Sequence, residues 1–286
     1  DKLFFLLFAD DTNIFIKGRE LSELNKCINE ELKLLYSWFC ANKLSLNVKK
    51  TNYMVFHSQR RKYQPNSVNI ILNGTVLDEV FQTKFLGVIV DNCLTWKYQI
   101  NNVCKKVSKN LFLLSKARKC VDSRTLIDLY YSFIYSYFQY GIAVWGAANP
   151  TDLEKLYTLQ KRIVKLIAGV QRDYNVDTLF IKFKMLKIAD IYKYKICTWM
   201  FKKTKNGLPS LSWLNLTKGS DVHNYNTRYK ENFRISKKVI TNYYKGSFTY
   251  SGPTLWANLP QSIRNMKSFL TFKKQYKKYI VSTYCQ

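Results

Sequence analysis

The fold is best inferred from the segment Lys2-Leu-Phe-Phe-Leu-Leu-Phe-Ala-Asp10-Asp11-Thr-Asn-Ile-Phe-Ile16. Its first run, Leu3 to Ala9, is uncharged and rich in Phe and Leu, and its second, Ile14 to Ile16, is β-branched and aromatic. Both runs favour strands on a mostly buried surface. The Asp, Thr and Asn residues between them are turn formers. The stretch therefore predicts a β-hairpin with carboxylates at its tip.

The paired carboxylates of Asp10 and Asp11 need a compensating charge. Two adjacent carboxylates repel each other, and an apolar setting favours the neutral form of one of them. A divalent cation removes that conflict, and hard oxygen ligands suit Mg²⁺, which is usually held by one or two carboxylates together with substrate phosphates. The pair therefore favours phosphoryl or nucleotidyl transfer with two metal ions. An Asp-Asp pair in a turn without a metal is the ordinary alternative.

The flanks of this pair carry a family resemblance. Phe8-Ala9-Asp10-Asp11 resembles the Tyr/Phe-Ala-Asp-Asp signature of reverse transcriptases, and Thr12-Asn13-Ile14 is similar to the version in non-LTR (LINE-type) retrotransposons. The resemblance implies that the hairpin belongs to a polymerase palm. It also implies that Asp10 is a direct ligand of the catalytic Mg²⁺, or of Mn²⁺ in its place, and that Asp11 supports it.

The composition indicates a globular protein with a polyanionic partner. A chain of 286 residues with 47% hydrophobic residues is long enough for a sizeable core. Lys and Arg number 46 against 19 Asp and Glu, which gives a formal charge of +27. No acid follows Glu231, whereas ten Lys or Arg do. This predicts a phosphate-facing surface in the C-terminal third, with a solvated basic tail or a codon bias as the alternatives.

The order of elements predicts an α+β fold. Apolar positions from Leu21 to Phe39 follow the spacing of one helix face, so a helix covers a sheet. An alternating strand is predicted over 53–57 and a hairpin over 68–80, turning at Asn73-Gly74. Residues 85–91 predict one further buried strand. Its Gly87 marks either a close backbone approach or a bulge.

Two further segments of this region resemble the family. Asn42-Lys-Leu-Ser-Leu-Asn47 with Lys50-Thr51 is similar to the block after the catalytic hairpin, and this match implies that Lys50 approaches the triphosphate of an incoming nucleotide. On residue types alone the block is a basic loop. The Phe85-Leu86-Gly87-Val88 segment resembles the primer grip, where the primer 3′ end is steadied.

After Trp96 the apolar period becomes helical. Three amphipathic helices are predicted over 100–114, 126–137 and 153–167, with Gly169 closing a thumb-like bundle. A phosphate track is predicted along the polar face of the first helix, although charged helix faces are usually only solvated. Its residues are Lys105, Lys106, Lys109 and Lys116, followed by Arg118 and Lys119.

The last part of the chain is basic and mostly helical by pattern. Two helices are predicted over 176–205, loops and weak strands over 206–252, and a basic helix over 269–280. His223-Asn-Tyr-Asn-Thr-Arg228 and Leu255-Trp-Ala-Asn-Leu-Pro260 resemble the tail of LINE-type reading frames. The uncharged run 129–151 predicts a buried helix and its exit loop rather than a membrane span.

The resemblance implies that residues 1–93 are a partial polymerase palm, for which the patterns predict an antiparallel sheet with a covering helix. A helical thumb (94–170) and a mixed, mainly helical basic extension (171–286) follow. The implied partners are an RNA template, a DNA primer and deoxynucleoside triphosphates, with no membrane. Seven cysteines without a Cys-x-x-Cys pair predict reduced, intracellular thiols. The resemblance implies a ribonucleoprotein of nucleus and cytoplasm.

The chain alone is expected to be inactive, because the family takes a third metal-binding Asp and the fingers from upstream of Asp1. The alternatives are a transposon-derived basic nucleic-acid-binding protein and, less well matched by the tail, a group II intron maturase.

Overall fold

A computed structural model describes residues 3–9, 11–171, 173–205, 216–221, 233–235 and 242–285. The chain divides into two compact units, Asp1–Leu94 and Thr95–Gln286. The predicted boundary at residue 93 lies beside this division, and the predicted boundary at residue 170 lies inside the second unit. The assignment of these regions to palm and thumb stays a prediction.

In its described residues the first unit contains one long helix and eight short strands, which form four two-stranded sheets. Its helix, α1, covers Leu21–Ala41. Three sheets are antiparallel, and the pairing of β3 with β6 is parallel. The strands are β1 (Leu3–Phe8), β2 (Asp11–Ile16), β3 (Asn52–Tyr53), β4 (Ile71–Leu72), β5 (Thr75–Val76), β6 (Asp78–Glu79), β7 (Gln82–Phe85) and β8 (Val88–Asp91).

The core of the first unit lies between α1 and the β4–β5 hairpin. Ile28 and Leu32 of α1 are buried with Leu72 of β4. Asn29 ties the two elements together, since its Nδ2 donates to the Asn69 carbonyl (2.8 Å) and its Oδ1 accepts from the Ile71 N–H (2.7 Å). The predicted helix that covers a sheet is thus present. The predicted strand over 53–57 is wrong beyond Tyr53, because the paired part of β3 ends there.

Two tight turns depend on left-handed backbone conformations. Asn73 (φ 50°) and Gly74 (φ 72°) join β4 to β5, which confirms the predicted hairpin. Leu86 (φ 44°) and Gly87 (φ 82°) join β7 to β8 in the same way. The prediction of one buried strand over 85–91 is therefore wrong. Gly87 serves a turn and not a bulge.

The second unit is built from eleven helices within its described residues, with a π-helical segment (Tyr131–Tyr135) between α3 and α4. The α-helices are α2 (Lys97–Ala117), α3 (Ser123–Tyr130), α4 (Ser136–Gln139), α5 (Ile142–Trp145), α6 (Pro150–Ala168), α7 (Val176–Lys182), α8 (Ile188–Thr204), α9 (Asn242–Gly246), α10 (Phe248–Ala257), α11 (Gln261–Arg264) and α12 (Phe269–Ser282). Gly169 ends α6 with φ 74°, as predicted. Within the described residues, none of the helices combines the length and the apolar character that crossing a membrane requires.

The core of the second unit is continuous and aromatic. Tyr130, Phe138 and Trp145 are fully buried. Gln160, also fully buried, joins helices through its amide, which donates to the Tyr130 hydroxyl (3.0 Å) and the Leu186 carbonyl (2.8 Å) and accepts from the Ile188 N–H (2.9 Å). Every polar atom of this side chain is thus paired inside the core.

The predicted loops and weak strands over 206–252 are wrong where the structure describes that range from residue 242 onward. Helix α9 and the first half of α10 occupy it. Gly252 lets α10 approach α8 closely, since a Cβ there would lie 2.8 Å from Met200 Sδ. The tail motif at 223–228 lies outside the described residues. The predicted helices over 176–205 and 269–280 are present as α7, α8 and α12.

Candidate catalytic hairpin and nucleic-acid interface

The acidic hairpin forms as the sequence predicts, but its turn is shorter. Strands β1 and β2 pair from Leu3 with Ile16 to Phe8 with Asp11. Strand β1 thus ends at Phe8 and β2 begins at Asp11, and Ala9 after β1 has a φ of 51°. Thr12 and Asn13 belong to β2 and are not turn residues, which corrects the prediction. Asp10 lies outside the described residues.

The first strand of this hairpin is exposed, contrary to the predicted buried surface. On its outer face, Phe4, Leu6 and Phe8 are 64%, 39% and 58% exposed. Only the inner side of the hairpin, with Leu3 and Ile16, packs against the core between α1 and β4. Hydrophobic composition predicted burial, but burial also requires a partner surface, which β1 lacks in the described part of this unit.

Asp11 lies at the end of this exposed apolar face. Residues paired across an antiparallel sheet share one face with those two positions away, so Asp11 shares its face with Phe8, Leu6, Phe15 and Phe4. Its own side chain is exposed. A segment that covered this face would place the Asp11 carboxylate in less polar surroundings. A nearby cation would then be needed to stabilise its charged form.

The described residues do not form a complete metal centre. Asp11 offers hard carboxylate oxygens of the type that Mg²⁺ prefers. Among the described residues, however, no group of three His, Cys, Asp or Glu side chains is close enough to hold a metal ion. Asp11 by itself therefore does not fit a two-metal site, and further ligands are needed.

The other predicted residues of the first unit lie at turns. Lys50 ends a short 3-10 turn, Val48–Lys50, and is exposed, as is Lys49 beside it. The segment predicted as a primer grip, Phe85, Leu86 and Gly87, forms the end of β7 and the β7–β8 turn. Leu86 is 39% exposed at a φ of 44°, which a residue of this size seldom adopts. The hairpin thus presents a strained apolar tip.

The predicted phosphate track lies on α2 with exposed side chains. Lys105, Lys109 and Lys116 follow helical spacing along one face, which we call the lysine stripe. Lys106 is about 100° around the helix from Lys105, and its Nζ lies 5.4 Å from the centroid of the Tyr137 ring. The four predicted lysines are therefore exposed, but only three share a face.

Aromatic residues on the same face were missed in the sequence. Tyr98 (48% exposed) and Phe112 (61% exposed) lie in line with the lysine stripe, and Lys116 Nζ is 5.3 Å from the Phe112 ring centroid. Their spacing to the lysines is the signal that would have found them. Lysines interleaved with exposed rings are typical of surfaces that follow a nucleic-acid backbone and stack on its bases.

Comparison with known proteins points to one class, the RNA-directed DNA polymerases of mobile elements. The chain is 25% identical over 187 residues to the "RNA-directed DNA polymerase from mobile element jockey" of Drosophila funebris, which covers 64% of this chain and 20% of that protein. It is 24% identical over 187 residues to the "Probable RNA-directed DNA polymerase from transposon X-element" of Drosophila melanogaster, with the same coverage. Over 202 residues it is 23% identical to the jockey protein of Drosophila melanogaster, covering 66% of this chain and 21% of that protein.

These relatives are encoded by non-LTR elements, so the resemblance found in the sequence is confirmed: the chain is similar to the reverse transcriptases of non-LTR retrotransposons. The chain spans about a fifth of the length of the curated relatives it matches. No protein-family model matches it, and no solved structure matches it at a significant level.

Proposed function

We propose that this chain is part of an RNA-directed DNA polymerase of a non-LTR retrotransposon, which adds deoxynucleotides to a primer 3′ hydroxyl on an RNA template. The observation that carries the proposal is the β1–β2 hairpin, in which Phe8 and Asp11 of the Phe-Ala-Asp-Asp motif are paired across the two strands. The relatives that share the chain's sequence are polymerases of this kind by name.

In this proposal each candidate site residue has a separate role. Asp10 and Asp11 are the part of a Mg²⁺ ligand set that this chain contributes, and the ion would polarise the reacting phosphate oxygens. Lys50 offsets charge on the triphosphate, since a positioned cation stabilises charge that develops on a leaving group. The β7–β8 turn steadies the primer end, and the lysine stripe binds backbone phosphates. The enzyme acts as a ribonucleoprotein in the nucleus and cytoplasm.

The same proposal includes inactivity of the chain by itself. A two-metal site needs more ligands than the Asp doublet, and Asp11 has no further acidic, His or Cys cluster around it within the described residues. The exposed outer face of the hairpin has the apolar composition of a surface that other polymerase segments cover.

Primer extension on an RNA template tests the polymerase proposal. In the longer parental polymerase, Asp10→Asn keeps the shape of the side chain and removes its charge. We expect a loss larger than the roughly 10- to 100-fold that removal of an outer-shell metal partner costs. Asp78→Asn, at an exposed aspartate of β6 in the same unit, is the matched control and should retain activity. Full activity of Asp10→Asn would reject the site, and extension by the purified chain would reject its inactivity.

A second function is favoured by the surface alone. The net charge of +27 and the lysine stripe suit a basic nucleic-acid-binding protein that needs no catalytic metal. In that case the parental protein would bind RNA with a steep salt dependence, and no aspartate substitution in the hairpin would alter any activity.

A further inference from the structure

A concave pocket of about 370 Å³ lies in the second unit where α4 ends, beside α8. Its volume is at the lower end of the range of roughly 300–1,000 Å³ found for ligand pockets, so it suits a flat group of modest size. Tyr140 is 56% exposed at the pocket and Val144 is 50% exposed. Lys195 and Trp199, one turn apart on α8, line it from that helix.

The wall opposite α8 is fixed by buried contacts. Gly141 starts α5 in a left-handed conformation (φ 65°), and Trp145 Nε1 donates to the Tyr140 carbonyl (2.8 Å) while its ring is fully buried. Gly146 allows close approach to α8, because a Cβ there would lie 2.5 Å from Tyr192 Cδ2. The corner that presents the Tyr140 ring is therefore preformed.

Lys195 lines this pocket, and two more half-buried lysines, Lys202 and Lys273, are near enough to repel its charge. Lys195 Nζ lies 5.7 Å from the Trp199 ring centroid. Lys202 is two turns further along α8, and Lys273 lies on α12, with their Nζ atoms 4.6 Å and 5.6 Å from the centroid of the Phe269 ring. Burial and repulsion from Lys202 and Lys273 lower the pKa of Lys195. The four ion pairs found within the described residues use other lysines.

This arrangement combines an exposed ring, a pocket and concentrated positive charge. An anion placed among the lysines would offset their mutual repulsion, and partial burial strengthens its attraction. Unpaired bases stack on aromatic side chains, while their phosphates follow a basic groove. A duplex offers no splayed base to such a pocket.

We propose that this pocket is a subsite for single-stranded nucleic acid, with an unpaired base against Tyr140 and Trp199 and the flanking phosphates at Lys195, Lys202 and Lys273. The subsite is distinct from the lysine stripe on α2. This proposal depends on the proposed function in one respect only, which is that the chain binds nucleic acid.

Binding of fluorescent oligonucleotides to the whole chain tests the subsite. The probes are an unstructured single strand, as RNA and as DNA of one sequence, and a duplex of equal length at fixed salt. We expect Tyr140→Ala to weaken single-strand binding about tenfold, as loss of one stacking residue does, and to leave duplex binding within about twofold. Tyr140→Phe should bind normally. Tyr174→Ala, at another exposed tyrosine of the unit, is the matched control.

The charge is tested in the same way. Lys195→Gln should weaken single-strand binding more than Lys278→Gln, which removes the same charge from an exposed position on α12. Photocrosslinking of a 4-thiouridine strand should label the peptides that hold Tyr140 or Trp199, which reports the position even where a variant folds poorly. Equal losses for target and control variants, or labelling only elsewhere, would overturn the subsite. Absence of all nucleic-acid binding would instead reject the proposed function.

Discussion

The two units of the molecule differ in how much of their apolar surface they bury. In the first unit, five consecutive residues from Phe4 to Phe8 are each at least 39% exposed, and four of the eight strands in its described residues are only two residues long. In the second, several large aromatic side chains, among them Trp145 and Phe138, are fully buried, although Phe112 and Leu270 are exposed. The second unit thus has a large aromatic core of its own, whereas the first presents a continuous exposed apolar strand that a partner could cover. The contrast is between a unit that buries its main aromatic side chains internally and a unit whose hairpin needs another segment to cover its apolar face.

The largest expected effect is at a core aromatic residue. Phe138→Ala in α4 should destabilise the second unit by about 3–5 kcal/mol, because it removes a fully buried ring and leaves a cavity. Leu7→Ala in the exposed hairpin should change stability by less than about 0.5 kcal/mol. Denaturant unfolding with hydrogen exchange by region measures both. Similar losses in the free energy of unfolding for both variants would show that the two units do not differ in packing.

A somewhat smaller effect is expected at the polar groups that join elements. Gln160→Leu should cost about 1–3 kcal/mol, because it leaves the buried backbone groups of Leu186 and Ile188 without their hydrogen-bond partner. Asn29→Leu in the first unit removes two hydrogen bonds of similar length, but near solvent, so we expect about 1 kcal/mol. Thermal unfolding of each variant gives the comparison. A larger loss at Asn29 would contradict it.

The two units should also differ in the cost of adding a methyl group at a closely packed glycine. Gly146→Ala forces a Cβ against the Ile142 carbonyl and the Tyr192 ring and should cost about 1–3 kcal/mol. Gly18→Ala meets only the side chain of Leu24, at 2.7 Å, which is partly exposed and can shift. The free energy of unfolding should then change little. Equal destabilisation of both variants would show that the first unit is packed as rigidly as the second.

The smallest effect on stability is expected where the apolar surface is most open. Phe4→Ser should leave the melting temperature of the chain nearly unchanged but reduce its self-association, because it interrupts the exposed face of β1. Sedimentation at increasing concentration measures the association. Phe272→Ser, at a fully buried ring of α12, is the contrasting control and should unfold its unit. If Phe4→Ser self-associates as strongly as the unchanged chain, the exposed face of β1 does not mediate the association.

Local signals in the sequence predicted the elements that depend on local chemistry. Asn73-Gly74 supplies the two positive φ angles of its tight turn, and this preference belongs to the dipeptide itself. The apolar period of α1 and the terminal Gly169 of α6 are also local, and both elements are present. The acidic hairpin was found for the same reason, since its two apolar runs pair with each other.

The features that sequence reasoning missed depend on partners or on strain. The run 85–91 is apolar throughout, so nothing in its pattern marks a turn that requires Leu86 in a left-handed conformation. Residues 248–257 carry Gly252 and Pro253, which normally interrupt helices, yet α10 is supported by packing on α8. The pocket of Tyr140 joins residues more than fifty positions apart in the chain, and no local pattern brings them together.

The π-helical segment at Tyr131–Tyr135 lies between α3 and α4 and determines which faces of the helix the following residues occupy. A wider turn of this kind accommodates an additional residue, and each residue of a helix accounts for about 100° of rotation. Deleting one residue there would return the turn to ordinary α-helical width and would leave Phe138 and Tyr140 on their present faces, because the wide turn already absorbs that residue. Inserting a further residue would instead rotate Phe138 out of the interior and Tyr140 away from α8. The pocket therefore depends on the number of residues in Tyr131–Tyr135, although none of them lines it.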